Sequence, residues 1–114
     1  MTTLSISIDG STFQKTGGPT NAKVRSDGDI DLSSVSETNI DIEWTLIDGK
    51  LFKKKGIVIT GNGSGKIFKN FTRSANKEIF SVTDANPENE VDTEFNYVVQ
   101  TKTSEIDPKI KNRS

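Results

Sequence analysis

The sequence predicts a single all-β domain, folded as an antiparallel β-sandwich of about seven or eight strands. The first observation is composition: Ile, Val and Thr supply 32 of the 114 residues, whereas Ala and Leu supply only 7. β-Branched side chains suit a pleated strand better than a helix. The second is an apolar period of two residues, and the third is the return of turn residues about every 10–12 positions, which is typical of sandwiches and barrels. A chain of this length supports one hydrophobic core, so we expect residues 1–114 to form one domain.

Alternation of apolar and polar residues is clearest in segments 4–8, 40–46 and 95–99. Each of these strands offers one face to a core and one mostly to water, as antiparallel sheets allow. An apolar face with this period is satisfied only against another sheet, so we expect one group of side chains to be buried together. Its members are Ile40, Ile42, Trp44, Leu46, Phe95, Tyr97 and Val99.

Weaker patterns predict further strands between these three. They are two short strands within residues 23–32, an apolar strand at 56–60, and the two arms of a hairpin at 66–71 and 78–83. At most one helical turn is expected, at residues 74–78.

Turn residues predict how the strands connect. Asp48-Gly49 is a strong hairpin signal, so the strands on either side of it are expected to pair. The glycine-rich residues 61–65 predict a flexible hairpin loop, and their spacing does not fit a phosphate-binding loop. The basic tail from about residue 109 is expected to fray.

The absence of two residue types excludes most catalytic sites. The chain has no Cys and no His, which excludes zinc–thiolate sites and Ser-His-Asp or Cys-His catalysis. We therefore expect no enzymatic activity and no cofactor. Ordinary carboxylates titrate near pH 4 and Lys near pH 10.4, so stability is expected to be nearly constant between pH 6 and 8 unless a carboxylate is strongly shifted.

Charge and hydropathy argue against two classes of partner. The net charge is −1, from 15 basic and 16 acidic residues, without the basic excess that is typical of nucleic-acid binders. No apolar run reaches membrane-spanning length, and residues 1–5 lack the basic and apolar regions that are typical of a secretory signal. We therefore expect a cytoplasmic protein that binds neither nucleic acid nor membrane.

The acidic loop at residues 84–90 is the candidate metal site. Sandwich loops can hold calcium through side-chain oxygens, and the four residues of this loop that could supply them are Asp84, Asn86, Glu88 and Glu90. The alternative interpretation is a solvated turn. This loop, and the pair Asp41 and Glu43 on one strand face, are also where a shifted carboxylate is to be sought.

Lys53-Lys54-Lys55 is a short basic run that has two interpretations. Lysines on an edge strand protect it against pairing with another chain. Alternatively, together with Lys50 and Lys66, they form an anion-binding patch. The sequence favours the edge strand.

Several features resemble known families. Trp44 lies mid-strand, and the Tyr97 strand follows a short polar loop, as in an immunoglobulin-like sandwich. Residues 106–112, with the dipeptide Asp107-Pro108, resemble the end of the DP-EP family, a small uncharacterised bacterial group. A Tyr-Val-Val strand followed by Asp-Pro-Lys-Ile is more distantly similar to the bacterial inclusion-body protein family. The resemblance covers roughly residues 40–112, lacks a Glu-Pro dipeptide, implies a bacterial sandwich, and transfers no catalytic residue.

These observations lead to two hypotheses about function. The first is a non-catalytic binding or assembly module that uses loop ends or an edge strand, with another protein or a second copy of the chain as its partner. The alternative is a sandwich that binds a small ligand or calcium at residues 84–90.

Overall fold

The prediction of an all-β sandwich is confirmed. A computed structural model describes residues 2–90 and 93–113, which form eleven strands and one four-residue helical turn. The elements are β1 (Thr3–Asp9), β2 (Thr12–Gly17), β3 (Lys23–Val24), β4 (Ile30–Asp31), β5 (Ile40–Leu46), β6 (Phe52–Thr60), α1 (Ser64–Ile67), β7 (Phe68–Arg73), β8 (Ile79–Asp84), β9 (Glu94–Thr101), β10 (Glu105–Ile106) and β11 (Lys109–Lys111). The helical turn lies at α1 and not at residues 74–78. Within the described ranges, no helix has the length and apolar character needed to span a membrane.

The strands form two sheets. The first has the order β2-β1-β5-β8-β7. In the second, β9 is the central strand: β6 pairs with it on one edge, and β10 and β11 pair with it on the other edge and lead to β4 and β3. The eleven strands exceed the seven or eight expected because several are only two or three residues long.

Both sheets are mixed, which corrects the expectation of purely antiparallel pairing. β1 and β5 pair in parallel along six residues, and β11 and β4 pair in parallel where Ile110 lies opposite Ile30. Parallel neighbours need a crossover connection. The chain supplies one by placing β3 and β4 in the second sheet before it returns to the first as β5.

The C-terminal segment, which we expected to fray from about residue 109, pairs with β9 and β4 in this structure as far as Lys111. β10 and β11 follow one continuous register along β9, with Gln100 opposite Glu105 and Asn96 opposite Lys109. The Pro108 carbonyl accepts the Tyr97 N–H at 3.0 Å between them. The apolar side chain of β11, at Ile110, is fully buried, which explains why this segment stays on the sheet.

Two turns that were predicted to close hairpins connect strands of different sheets. β5 and β6 lie in different sheets, so Asp48-Gly49 is a crossover, stabilised by the Gly10 N–H that donates to Asp48 Oδ2 at 2.7 Å. Residues 61–65 likewise carry the chain from β6 to α1 and then β7 in the first sheet. Gly63 has φ of +74°, a left-handed conformation that glycine adopts without strain.

The predicted core is confirmed, because all seven side chains expected to be buried together are at most 2% exposed. Trp44 from the first sheet and Tyr97 from the second meet with ring centroids 5.3 Å apart. The Tyr97 hydroxyl donates to the Gly28 carbonyl in the turn between β3 and β4. Burial raises the pKa of Tyr97, so this hydroxyl keeps its proton and remains a donor.

Replacing Tyr97 with Phe is expected to lower the free energy of unfolding by about 1–3 kcal/mol, because it leaves the Gly28 carbonyl without this donor in a buried place. Urea denaturation followed by circular dichroism measures the change. Thr72→Val is the control, because it removes an exposed hydroxyl that donates to Asn70 O at 3.1 Å. Equal losses in both variants would contradict the role given to the Tyr97 hydroxyl.

Candidate functional site

The acidic loop at residues 84–90, the predicted calcium site, is held in place by hydrogen bonds made by two of its side chains. Asp84 and Asn86 are both fully buried. Asp84 Oδ1 accepts the Asn86 N–H at 2.9 Å and Asn112 Nδ2 at 2.8 Å. Asn86 Nδ2 donates to the carbonyls of Val35 and Glu37, at 3.0 Å each. These side chains therefore fasten the loop to the C-terminal segment and to the segment before β5.

Arg113 already supplies this loop with a positive charge. Its Nε donates to the Asn86 carbonyl at 2.7 Å, and its Nη1 lies 3.4 Å from Glu88 Oε1. Glu88 is exposed and Glu90 is half-buried. In the part of the chain that the structure describes, no three His, Cys, Asp or Glu residues are grouped to hold a metal. Calcium binding at residues 84–90 stays a prediction, and this geometry does not support it.

Burial raises the pKa of Asp84 to about 6, more than its hydrogen bonds from Asn86 and Asn112 lower it. Its second oxygen, Oδ2, is buried and has no hydrogen-bond partner among the described residues, and the same holds for Asn112 Oδ1. Its surroundings therefore favour the protonated form of Asp84 up to about pH 6. The sequence predicted nearly constant stability between pH 6 and 8 unless a carboxylate has a strongly shifted pKa, and Asp84 is such a carboxylate.

A polar depression of about 580 Å³ lies on the outer face of the first sheet and includes Asp41 and Glu43. Thr83 Oγ1 donates to Asp41 Oδ1 at 2.7 Å, and Asn70 Nδ2 donates to Thr83 Oγ1 at 3.2 Å. These groups bond to one another across β5, β8 and β7. The side chains around this depression therefore have the arrangement expected of the solvent-facing side of a sheet, and they do not indicate a separate site.

The open side of the sandwich is a different kind of surface. Among the described strands, β6 pairs with β9 alone and β7 pairs with β8 alone, so each is an edge strand of its sheet. The two edges lie side by side, as a hydrogen bond between them shows: Arg73 Nη1 on β7 donates to the Phe52 carbonyl on β6 at 3.3 Å. An edge strand presents backbone groups that another strand can pair with.

An apolar groove of about 520 Å³ runs between these edges. The groove is lined by Lys54, Lys55, Ile57, Val58, Ile59, Phe71, Arg73 and Phe80. Phe71 is 45% exposed, and Val58 and Ile59 are half-buried, so apolar surface faces the groove from both edges. Exposed apolar surface gathered in one place is typical of a binding site.

A bulge in β6 sets one end of this groove. The register with β9 shifts between Phe52 and Ile57, which releases Lys53, Lys54 and Lys55 from regular pairing. Gly56 permits the bulge, because a Cβ there would lie 2.7 Å from the Phe52 ring. The sequence interpretation of an edge strand rich in lysine is therefore confirmed.

Charge is separated along the chain in a way that the net charge conceals. Residues 49–77, which contain both edge strands, include no Asp or Glu. The basic residues of this segment are Lys50, Lys53, Lys54, Lys55, Lys66, Lys69, Arg73 and Lys77. All 16 acidic residues lie outside it. We call residues 49–77 the basic segment.

Sequence reasoning missed Phe71 and Arg73 as members of a site. The absence of acidic residues between Asp48 and Glu78 was a visible signal, because it combines a basic stretch with two predicted strands. The presence of Phe71 and Val58 in one groove was not visible, since it depends on which sheet each strand joins.

Comparison with known proteins adds no relative. No protein-family model matches the sequence, and no curated protein matches it either. The resemblances to the DP-EP family and to the inclusion-body protein family stay predictions.

Proposed function

We propose that this protein is a non-catalytic binding or assembly module that takes up an extended polypeptide segment along the open edge between β6 and β7. The observation that carries the proposal is the apolar groove between two strands that each pair on one side. Strand addition at a sheet edge is a recurring mode of peptide recognition, in which backbone bonds give affinity and side-chain contacts give specificity.

The chemistry of the groove favours binding over catalysis. Among the described residues that line it, the side chains are aliphatic, aromatic or basic, and none is a carboxylate or hydroxyl group. Such a surface can hold the apolar side chains of an extended segment. It lacks the paired acid and base that proton transfer requires.

The same proposal includes three predictions that rest on the sequence alone. They are the immunoglobulin-like class of the sandwich, a bacterial origin and a cytoplasmic location. The partner is a polypeptide, either another protein or a second copy of the chain, and nucleic acid and membrane are not among the proposed partners.

The test uses the full chain labelled with nitrogen-15 and a capped eight-residue peptide of alternating valine and threonine. We expect saturable shifts of backbone amides in β6 and β7 at submillimolar peptide, and little change at the opposite edge formed by β2. Light scattering over a range of protein concentrations measures the self-association arm. Absence of amide shifts with peptide, together with a constant monomer mass, would contradict the proposed function.

Two exposed apolar residues offer a matched pair of variants. Phe71→Ala removes an apolar side chain from the groove, whereas Ile47→Ala removes a side chain that is 60% exposed outside it. We expect the first to weaken peptide binding about tenfold, because aromatic anchors carry much of the binding energy at an interface. The second is expected to leave binding unchanged. Equal affinities for both variants would place binding elsewhere.

A further inference from the structure

The charge of the groove specifies its occupant more closely than its shape does. The basic segment holds eight of the chain's 15 basic residues and none of its acidic ones. Within the described residues, one basic residue of this segment forms an ion pair: Lys50 Nζ lies 3.9 Å from Asp48 Oδ2. Lys53, Lys54 and Lys55 are exposed and form no ion pair there. Their charge is available to a partner.

The basic groups of the groove gather at one of its ends. Lys54 and Lys55 lie beside the β6 bulge, and Arg73 bonds to β6 at the same end, through the Phe52 carbonyl. Val58 and Ile59 lie further along β6 and are followed by the exposed Thr60. A segment lying in the groove would therefore pass basic side chains at one end and an apolar surface along the rest.

We propose that the segment docked on the β6–β7 edge is an acidic polypeptide strand, with carboxylates at the end beside Lys54, Lys55 and Arg73 and apolar side chains against Val58 and Phe71. This inference rests on the proposed function. Opposite charges across an interface speed association and reject wrong partners. The lysines also discourage pairing between two copies of β6, since like charges would then meet.

A nucleic acid would satisfy the basic residues but not the rest of the surface. Its phosphates accept hydrogen bonds from backbone N–H groups but offer no donor to the carbonyls of an edge strand. Aliphatic side chains such as Val58 and Ile59 offer no ring for base stacking. Phe71 is the exposed aromatic residue of the groove. The observations therefore favour a polypeptide, and an oligonucleotide serves as a test of that choice.

The experiment compares three capped eight-residue peptides in which valine alternates with aspartate, threonine or lysine, together with a ten-residue oligothymidylate. Titration calorimetry and amide shifts of β6 and β7 give affinities at 50 and 300 mM salt. We expect the aspartate peptide to bind at least tenfold more tightly than the threonine peptide at low salt. Its affinity should also fall at high salt, because exposed charges are screened.

Charge reversal identifies the residues responsible. The triple variant Lys53→Glu, Lys54→Glu, Lys55→Glu is expected to lose at least tenfold in affinity for the aspartate peptide and to gain affinity for the lysine peptide. The matched control reverses three exposed lysines outside the basic segment, at Lys102, Lys109 and Lys111. It should keep the affinity within twofold. Substitution of the same three β6 lysines by Gln provides a second variant if charge reversal impairs folding.

The outcomes separate this inference from the proposed function. If the three peptides bind equally and the triple variant behaves like the protein itself, the acidic partner is wrong while strand docking stands. If no peptide moves the amides of β6 or β7, both are wrong. Tighter binding of the oligothymidylate than of the aspartate peptide would overturn the choice of a polypeptide.

Discussion

Truncation of Trp44 to Ala is expected to lower the free energy of unfolding by about 3–5 kcal/mol. Trp44 is fully buried at the middle of β5, paired with Ile6 on one side and Phe80 on the other. It also packs against Tyr97 of the second sheet. Its removal leaves a cavity between the sheets that rigid strands cannot collapse to fill. The loss is a large fraction of the stability of an ordinary small domain.

Chemical denaturation followed by circular dichroism is the appropriate measurement, because Trp44 is the only Trp in the chain and the variant has no Trp fluorescence. Ile47→Ala is the control, since Ile47 follows β5 and is 60% exposed. It should change stability by less than about 0.5 kcal/mol. A loss below about 1 kcal/mol for Trp44→Ala would show that the two sheets do not close on this residue.

Replacement of Asp84 by Asn is expected to abolish a stability change of about 2–3 kcal/mol between pH 4 and pH 7. Burial raises the pKa of Asp84 from 3.8 to about 6, so the folded protein binds a proton that the unfolded chain has released. Each pKa unit corresponds to about 1.4 kcal/mol. This stabilisation is complete below about pH 4 and is lost as the pH rises through 6.

Asn is the informative substitution because it resembles the protonated acid. An amide at position 84 carries no charge and could donate to Asn112 Oδ1, which is buried without a partner among the described residues. Urea denaturation at half-unit pH steps gives the difference between the two proteins. We expect the variant to be the more stable of the two at pH 7, with the advantage shrinking towards pH 4.

Asp48→Asn is the control for this pH series, because its effect has the opposite sign. The Gly10 N–H that donates to Asp48 lowers the pKa of that carboxyl, so its stabilisation is present at neutral pH and is lost on acidification. A constant difference between the protein and Asp84→Asn across the series would show that Asp84 is ionised throughout. That result would contradict the protonated state that its burial favours.

The sequence predicted the strands whose two faces differ. β1, β5 and β9 alternate because one face meets the core, and local residue choice reports that difference directly. It could not predict which sheet β6 joins. Asp48-Gly49 can form a tight turn whether the chain folds back within one sheet or crosses to the other. In the observed crossover, Gly49 has φ of +84°.

The candidate site could be predicted only in part, for the same reason. The basic run at Lys53 to Lys55 and its edge position were predicted, because charge on a strand is a local property. The groove with Phe71 depends on two edges from different sheets lying together, which no local pattern reports. Burial of Asp84 also depends on a distant segment, since Asn112 and Arg113 close the loop from 28 and 27 residues away.

The parallel pairing of β4 with β11 has a consequence for how the chain folds. Asp31 and Lys111 are partners across 80 residues of sequence, so β4 emerges from the ribosome long before its neighbour exists. Contacts that close such long loops slow folding, and domains dominated by them fold in milliseconds to seconds. During synthesis the nascent chain would therefore hold one nearly complete sheet and one unfinished sheet, which exposes the edge of β4 to chaperones or to other chains.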